Sequence, residues 1–156
     1  MAQKENKVEF HHNVFKDWIQ DDESTLDQIF VNDSRGWKIQ RFVKKENELL
    51  DLYKVIKENL PMLKQLHTII MSKSEDYPNI GWFQFVDCCI DCCFLDRNIK
   101  MDTLDRTFIA SDVEAAKVEG NSKRLMNRYE FFEALVRIAD SKYRASGEVE
   151  TVAAAF

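Results

Sequence analysis

Glycine and proline are scarce in this chain of 156 residues, at four and two respectively, where average usage would make the pair about 12% of a sequence. Sandwiches and barrels need a turn after every strand, and such turns draw on these residues, so the shortage excludes a many-stranded fold and predicts an all-α one. Four glycines also cannot supply both a phosphate-cradling loop and the turns of a dinucleotide-binding unit. Positive charge is in deficit as well: 22 Lys and Arg against 27 Asp and Glu leave a net charge of −5. No overall field therefore draws in nucleic acid, and none is expected as a partner. No apolar run reaches the length of a membrane span, and the opening ten residues lack the apolar stretch of a secretory signal, so an intracellular, cytoplasmic location is expected. Histidine is thin: His11 and His12 are neighbours and His67 stands alone, with no second His or Cys at metal spacing. The phosphate-loop, G-x-S-x-G and H-E-x-x-H patterns are absent. The sequence thus offers no catalytic residue and no cofactor, and a non-enzymatic role is expected.

What is present suits one packed domain. Hydrophobic residues make up 45% of the chain and charged residues 31%, enough for an interior and for solubility. Residues 1–36 read as an N-terminal arm, loosely periodic through Val8, Phe10, Val14, Phe15, Trp18 and Ile19. Ser24 is expected to cap a short helix from Thr25 to about Val31. Residues 37–143 read as the domain proper. Phe42, Leu49, Leu50, Tyr53, Ile56 and Leu60 recur at helical steps and predict one amphipathic helix from Trp37 to Leu60. Pro61, lacking an amide donor, ends that helix and begins another carrying Leu63, Leu66, His67, Ile69 and Ile70, with His67 partly exposed. Ser72 to Pro78 is a loop, followed by an apolar helix through Leu95. Asp102 or Thr103 caps the next helix, a long loop spans Ser111 to Arg124, and a last helix runs from Arg128 to Tyr143. Residues 144–156 are expected to be a frayed tail or the stub of a longer protein.

The most informative feature is an internal repeat. A shift of 46 residues lays Ile80–Cys92 over Met126–Ile138. Ile80 meets Met126, Phe83 meets Tyr129, Phe85 meets Phe131, Val86 meets Phe132, Asp87 meets Glu133, Cys89 meets Leu135 and Cys92 meets Ile138. Each copy follows a helix and a polar loop. An apolar residue, then a Phe five places on, then apolar positions three, four and seven beyond it, resembles the second half of an EF-hand. The resemblance covers units of about 61–96 and 102–143. It implies a calmodulin-like pair in which the apolar residues form a short β-bridge and the Phe opens the core face of the exiting helix.

The same resemblance speaks against calcium. Laying the family's twelve-residue loop back from Phe85 puts Lys73, Glu75 and Tyr77 where side-chain ligands belong, Pro78 at the glycine turn, and Gln84 at the bidentate position. A cation at the head and a neutral amide at the end remove the charge that a hard cation needs. In the second unit Glu130 stands at the bidentate position, but the preceding positions give Glu119 and Asn121, then Lys123 and Arg124, with no glycine at the turn. No metal is expected; a calcium sensor using Glu119, Asn121 and Glu130 is the alternative. Residues 127–143 also resemble a segment of EF-hand-like proteins from ciliated and flagellated protists, some axonemal. That implies a cytoskeletal or ciliary assembly as the setting.

All four cysteines, Cys88, Cys89, Cys92 and Cys93, lie in one short run. They cannot staple distant segments, and reduced thiols are expected. Successive residues on a helix point about 100° apart, so four neighbouring thiols cannot converge on one ion, although a pair such as Cys89 and Cys93 could share one. The repeat lays Cys88, Cys89 and Cys92 over Ala134, Leu135 and Ile138, which reads them as core; a thiol-based metal or redox protein is the alternative. Aromatic residues make up 12% of the chain. Most belong in the core, and Phe15, Trp18, Trp37 and Trp82 are candidate partner anchors where they remain exposed. The function expected is protein–protein interaction or structural support, with an amphipathic helix received by the paired units, from the 37–60 segment in cis or a partner in trans.

Overall fold

A computed structural model describes residues 21–112 and 125–156. Among them are seven helices and no strand: α1 (Glu23–Gly36), α2 (Glu46–Glu58), α3 (Leu60–Met71), α4 (Trp82–Asp91), α5 (Met101–Ser111), α6 (Arg128–Ala139) and α7 (Val152–Ala155). The fold is all-α, as composition requires.

Local chemistry sets most of the boundaries. Asp22, not Ser24, caps α1, its carboxylate accepting from Thr25 N at 2.7 Å, and α1 runs on to Gly36, well past the short helix expected. Pro61 separates α2 from α3 at the expected place, filling a first-turn position where no amide donor is needed. Asn127 caps α6 in a reciprocal box: its side chain accepts from Glu130 N at 3.2 Å while Glu130 accepts from Asn127 N at 3.0 Å. Beyond Ala139 the helix loosens into a wider turn over Asp140–Arg144.

Two expected helices are shorter than the sequence suggested. The segment after Trp37 is not helical throughout: a single tight turn at Ile39–Arg41 precedes an extended link, and α2 begins only at Glu46. Trp37, Ile39 and Val43 are all buried, at spacings that one helix face does not satisfy. Helix α4 stops at Asp91 rather than reaching Leu95, because Cys93 adopts a left-handed conformation (φ 54°). Phe94 N then donates to Cys89 O and Cys93 N to Ile90 O, both at 2.9 Å, the Schellman pattern that closes a helix. Lys142 reinforces the stop by donating to Cys93 O and Phe94 O at 3.2 and 2.9 Å.

The repeat is visible in space. Ile80 and Met126 pair antiparallel, each amide donating to the other's carbonyl at 2.8 Å, in an isolated bridge. This joins the link before α4 to the link before α6. Ile80 and Met126 are buried, as are Phe85 and Phe131, Val86 and Phe132, Cys88 and Ala134, and Cys89 and Leu135. The equivalence ends at Cys92, which is exposed, while Ile138 is buried. The cause is the early stop of α4.

Around these pairs the core is aromatic. Phe108 of α5 lies 5.6 Å from Phe85 and 5.5 Å from Trp82. Each such side chain contributes roughly 1.5–3 kcal/mol by burial. Helix α6 is the hub, contacting α1, α3, α5 and α7. All its residues except Arg128, Tyr129 and Arg137 are buried.

Candidate interaction surface

Helix α6 carries contacts that hold α1 and the link after it in place. Arg128 grips Asp33 of α1 with two hydrogen bonds of 2.8 and 2.9 Å. Asp33 in turn raises the Arg128 pKa above its usual value. Trp37 Nε1 donates to Tyr129 O at 3.0 Å. Gly36 lies so close to the Tyr129 ring that a Cβ would sit 2.7 Å from it, so a side chain there would displace the ring. Glu133, almost fully buried, accepts from Lys38 N at 2.6 Å through one oxygen and from Arg137 at 2.8 and 3.1 Å through the other. The Arg137 guanidinium also stacks on Phe42, 4.5 Å from the ring centre. The buried carboxylates of Asp33 and Glu133 are thus matched by cationic or amide donors, which makes their burial tolerable.

The C-terminal residues pack too, against expectation. Val152 of α7 is only 1% exposed, and its amide donates to Glu48 of α2 at 2.9 Å. Thr151 caps the short helix by accepting from Ala154 N at 3.1 Å. Small residues allow α7 to approach α2 closely, which is why this alanine-rich stretch does not fray. Between α3, α6 and this segment lies an apolar groove of about 550 Å³, lined among others by Met62, Leu66, Phe94, Ile138, Tyr143 and Phe156.

Of the expected anchors, Trp37 is buried at 2% exposure in a ring cluster with Phe30 and Tyr53, and it offers no face to a partner. Its core role depends on the fold bringing together Phe30 of α1, Tyr53 of α2 and the Tyr129 carbonyl of α6. Trp82 is half-buried against Phe108. Phe15 and Trp18 lie outside the described residues. The larger exposed apolar side chains are instead Phe83, Met62, Leu50 and Ile90. None of these was expected as a partner anchor, and Phe83 and Ile90 could have been found as the outer stripe of α4.

In the first loop Lys73, Glu75 and Tyr77 are exposed. Ser74 Oγ accepts from Asp76 N at 3.2 Å, so the loop closes on itself. Glu130 is buried and engaged in capping α6; Glu119 and Asn121 lie outside the described residues. Among the described residues no three His, Cys, Asp or Glu side chains come together as a metal site requires, and no helix is long and apolar enough to cross a membrane.

The cysteines divide two and two. Cys88 and Cys89 are buried, and Cys92 and Cys93 are exposed. Burial, then the neighbouring Cys92, push the Cys88 thiol up to about 12. Burial raises Cys89 as well. Thiols held protonated are poor nucleophiles and poor ligands. His67, expected to be partly exposed, is buried against Phe131 and Phe132, with ring centres 5.9 and 6.5 Å away.

No family model, curated protein or solved structure matches the chain.

Proposed function

We propose that the chain is a non-enzymatic protein-interaction module built on an EF-hand-like pair that works without calcium. The first unit is α3–α4 and the second α5–α6. The observation that carries this reading is the reciprocal Ile80–Met126 bridge, which falls on the two residues that the repeat lays over one another. Paired burial of Phe85 and Phe131 supports it further. The face of α6 on which a sensor pair would receive a helix is occupied in cis by α1 and the 37–42 link, through Asp33, Trp37 and Lys38. The apolar groove between α3, α6 and the C-terminal segment stays open. It suits one face of an amphipathic helix from a partner. A cytoskeletal or ciliary setting follows from the sequence resemblance alone.

The test is nitrogen-edited NMR of the full chain with a synthetic amphipathic peptide carrying Leu and Trp at helical spacing. Saturable shifts at Met62, Leu66, Ile138 and Tyr143, equal in calcium and in chelator, are expected. Shifts that need calcium would favour the sensor alternative, and no shifts at these residues would remove the groove from the account.

A further inference from the structure

A polar pocket of about 310 Å³ opens where α5 faces the end of α6 and the turn after it. Helix α5 contributes Thr103, Arg106 and Thr107, and the other wall is Arg137, Asp140 and Ser141, each set at helical steps. Phe42 borders the pocket beneath the Arg137 guanidinium. Each charge here has a neighbour. Asp140 is held by Arg144, which lies outside the pocket. Glu133 takes two N–H groups of Arg137 through one oxygen, and no described residue bonds the others. Arg106 pairs with Asp102, but both side chains are largely exposed, and such a pair is weak enough to exchange for a better acceptor. Thr107 is 6% exposed, yet its hydroxyl has no hydrogen-bond partner among the described residues. The Ser141 hydroxyl on the facing wall has none either. A nearly buried hydroxyl without a partner is costly, and an acceptor in the pocket satisfies it.

We propose that this pocket binds the phosphoryl group of a small ligand, with the Arg106 and Arg137 guanidiniums supplying the charge and the Thr107 and Ser141 hydroxyls donating to the remaining oxygens. Donors arrive from two walls, which suits a tetrahedral oxyanion with acceptors on every side; a planar carboxylate is satisfied by a single guanidinium fork. A phosphoryl group also carries more charge and more acceptor oxygens than the Asp102 carboxylate, so it draws Arg106 from that exposed pair. The volume stands at the small end of ligand sites, which fits free phosphate or a monoester of few carbon atoms.

Nitrogen-edited NMR of the full chain at fixed ionic strength tests this, with inorganic phosphate, methyl phosphate and, as the planar control, acetate. Either phosphate should shift the Thr107, Ala110, Arg137 and Ser141 amides saturably in the millimolar range. Tighter binding of methyl phosphate would assign the ligand as a monoester, and equal or weaker binding as free phosphate. Arg106→Gln, at an exposed side chain, should weaken binding at least about tenfold while the buried core keeps its shifts. Thr107→Val should weaken it too, and Arg35→Gln, which removes the same charge from α1, should leave it unchanged. No saturable shift with either phosphate, equal shifts with acetate, or an affinity unchanged in both pocket variants would overturn the proposal.

Discussion

Acid should unfold this protein through His67, and the amount can be worked out. The ring is 6% exposed, its Nε2 has no hydrogen-bond partner, and it packs against Phe131 and Phe132. Burial above all, and the Arg128 charge after it, lower its pKa from 6.5 to about 4, with Asp33 opposing. Above the unfolded value both states hold a neutral ring, so this group gives no pH dependence there. Between the two values the unfolded chain takes up a proton that the folded one refuses, and stability falls as pH falls. The loss is about 1.4 kcal/mol at a pH near 5.5 and about 2.5 kcal/mol at a pH near 4.5, approaching roughly 3 kcal/mol below the folded value. Urea denaturation of the natural chain and of His67→Leu at these pH values measures it. Carboxylates titrate in both proteins, so the difference between them isolates the histidine. At neutral pH the variant should be more stable by about 1 kcal/mol, because an unpaired buried nitrogen is removed. Parallel pH profiles for the two proteins would show that His67 does not set the acid sensitivity.

Two further outcomes follow from the end of α4. In native protein Cys92 and Cys93 should react with a thiol reagent at once, while Cys88 and Cys89 wait for unfolding; mass spectrometry of labelled peptides reads this, and four equally fast thiols would contradict the burial. Cys93→Gly should stabilise the fold by about 1 kcal/mol, since glycine adopts the left-handed conformation without the penalty a side chain incurs; a lower urea midpoint would argue against the helix stop described here.

Much of this fold was legible because it is written locally. Proline at 61 marks the α2–α3 junction, Asn127 and Glu130 write the cap of α6, and the 46-residue repeat lays Ile80 over Met126, the two residues that pair in space. What escaped depends on distant partners. Trp37 looked like the start of one long amphipathic helix, yet it reaches the interior from a link whose position is set by Tyr129 and Glu133 on α6. His67 looked exposed because its neighbours on α3 do not bury it; Phe131 and Phe132 do. The C-terminal residues looked too small to anchor anything, but smallness is what lets α7 lie on α2. The candidate surface was the least legible part. Its groove is a product of helix packing, and of its lining residues the sequence marked Leu66 and Ile138 only as core.

The proposed function depends on a pair of units, bridged at Ile80 and Met126, that holds together without calcium. Titrating calcium into the full chain, with the Ile80 and Met126 amides followed by NMR, tests it most directly. Both amides should exchange slowly with solvent in chelator and keep their shifts into millimolar calcium. Bridge amides that exchange freely until calcium is added, and become protected at a saturable concentration, would contradict it.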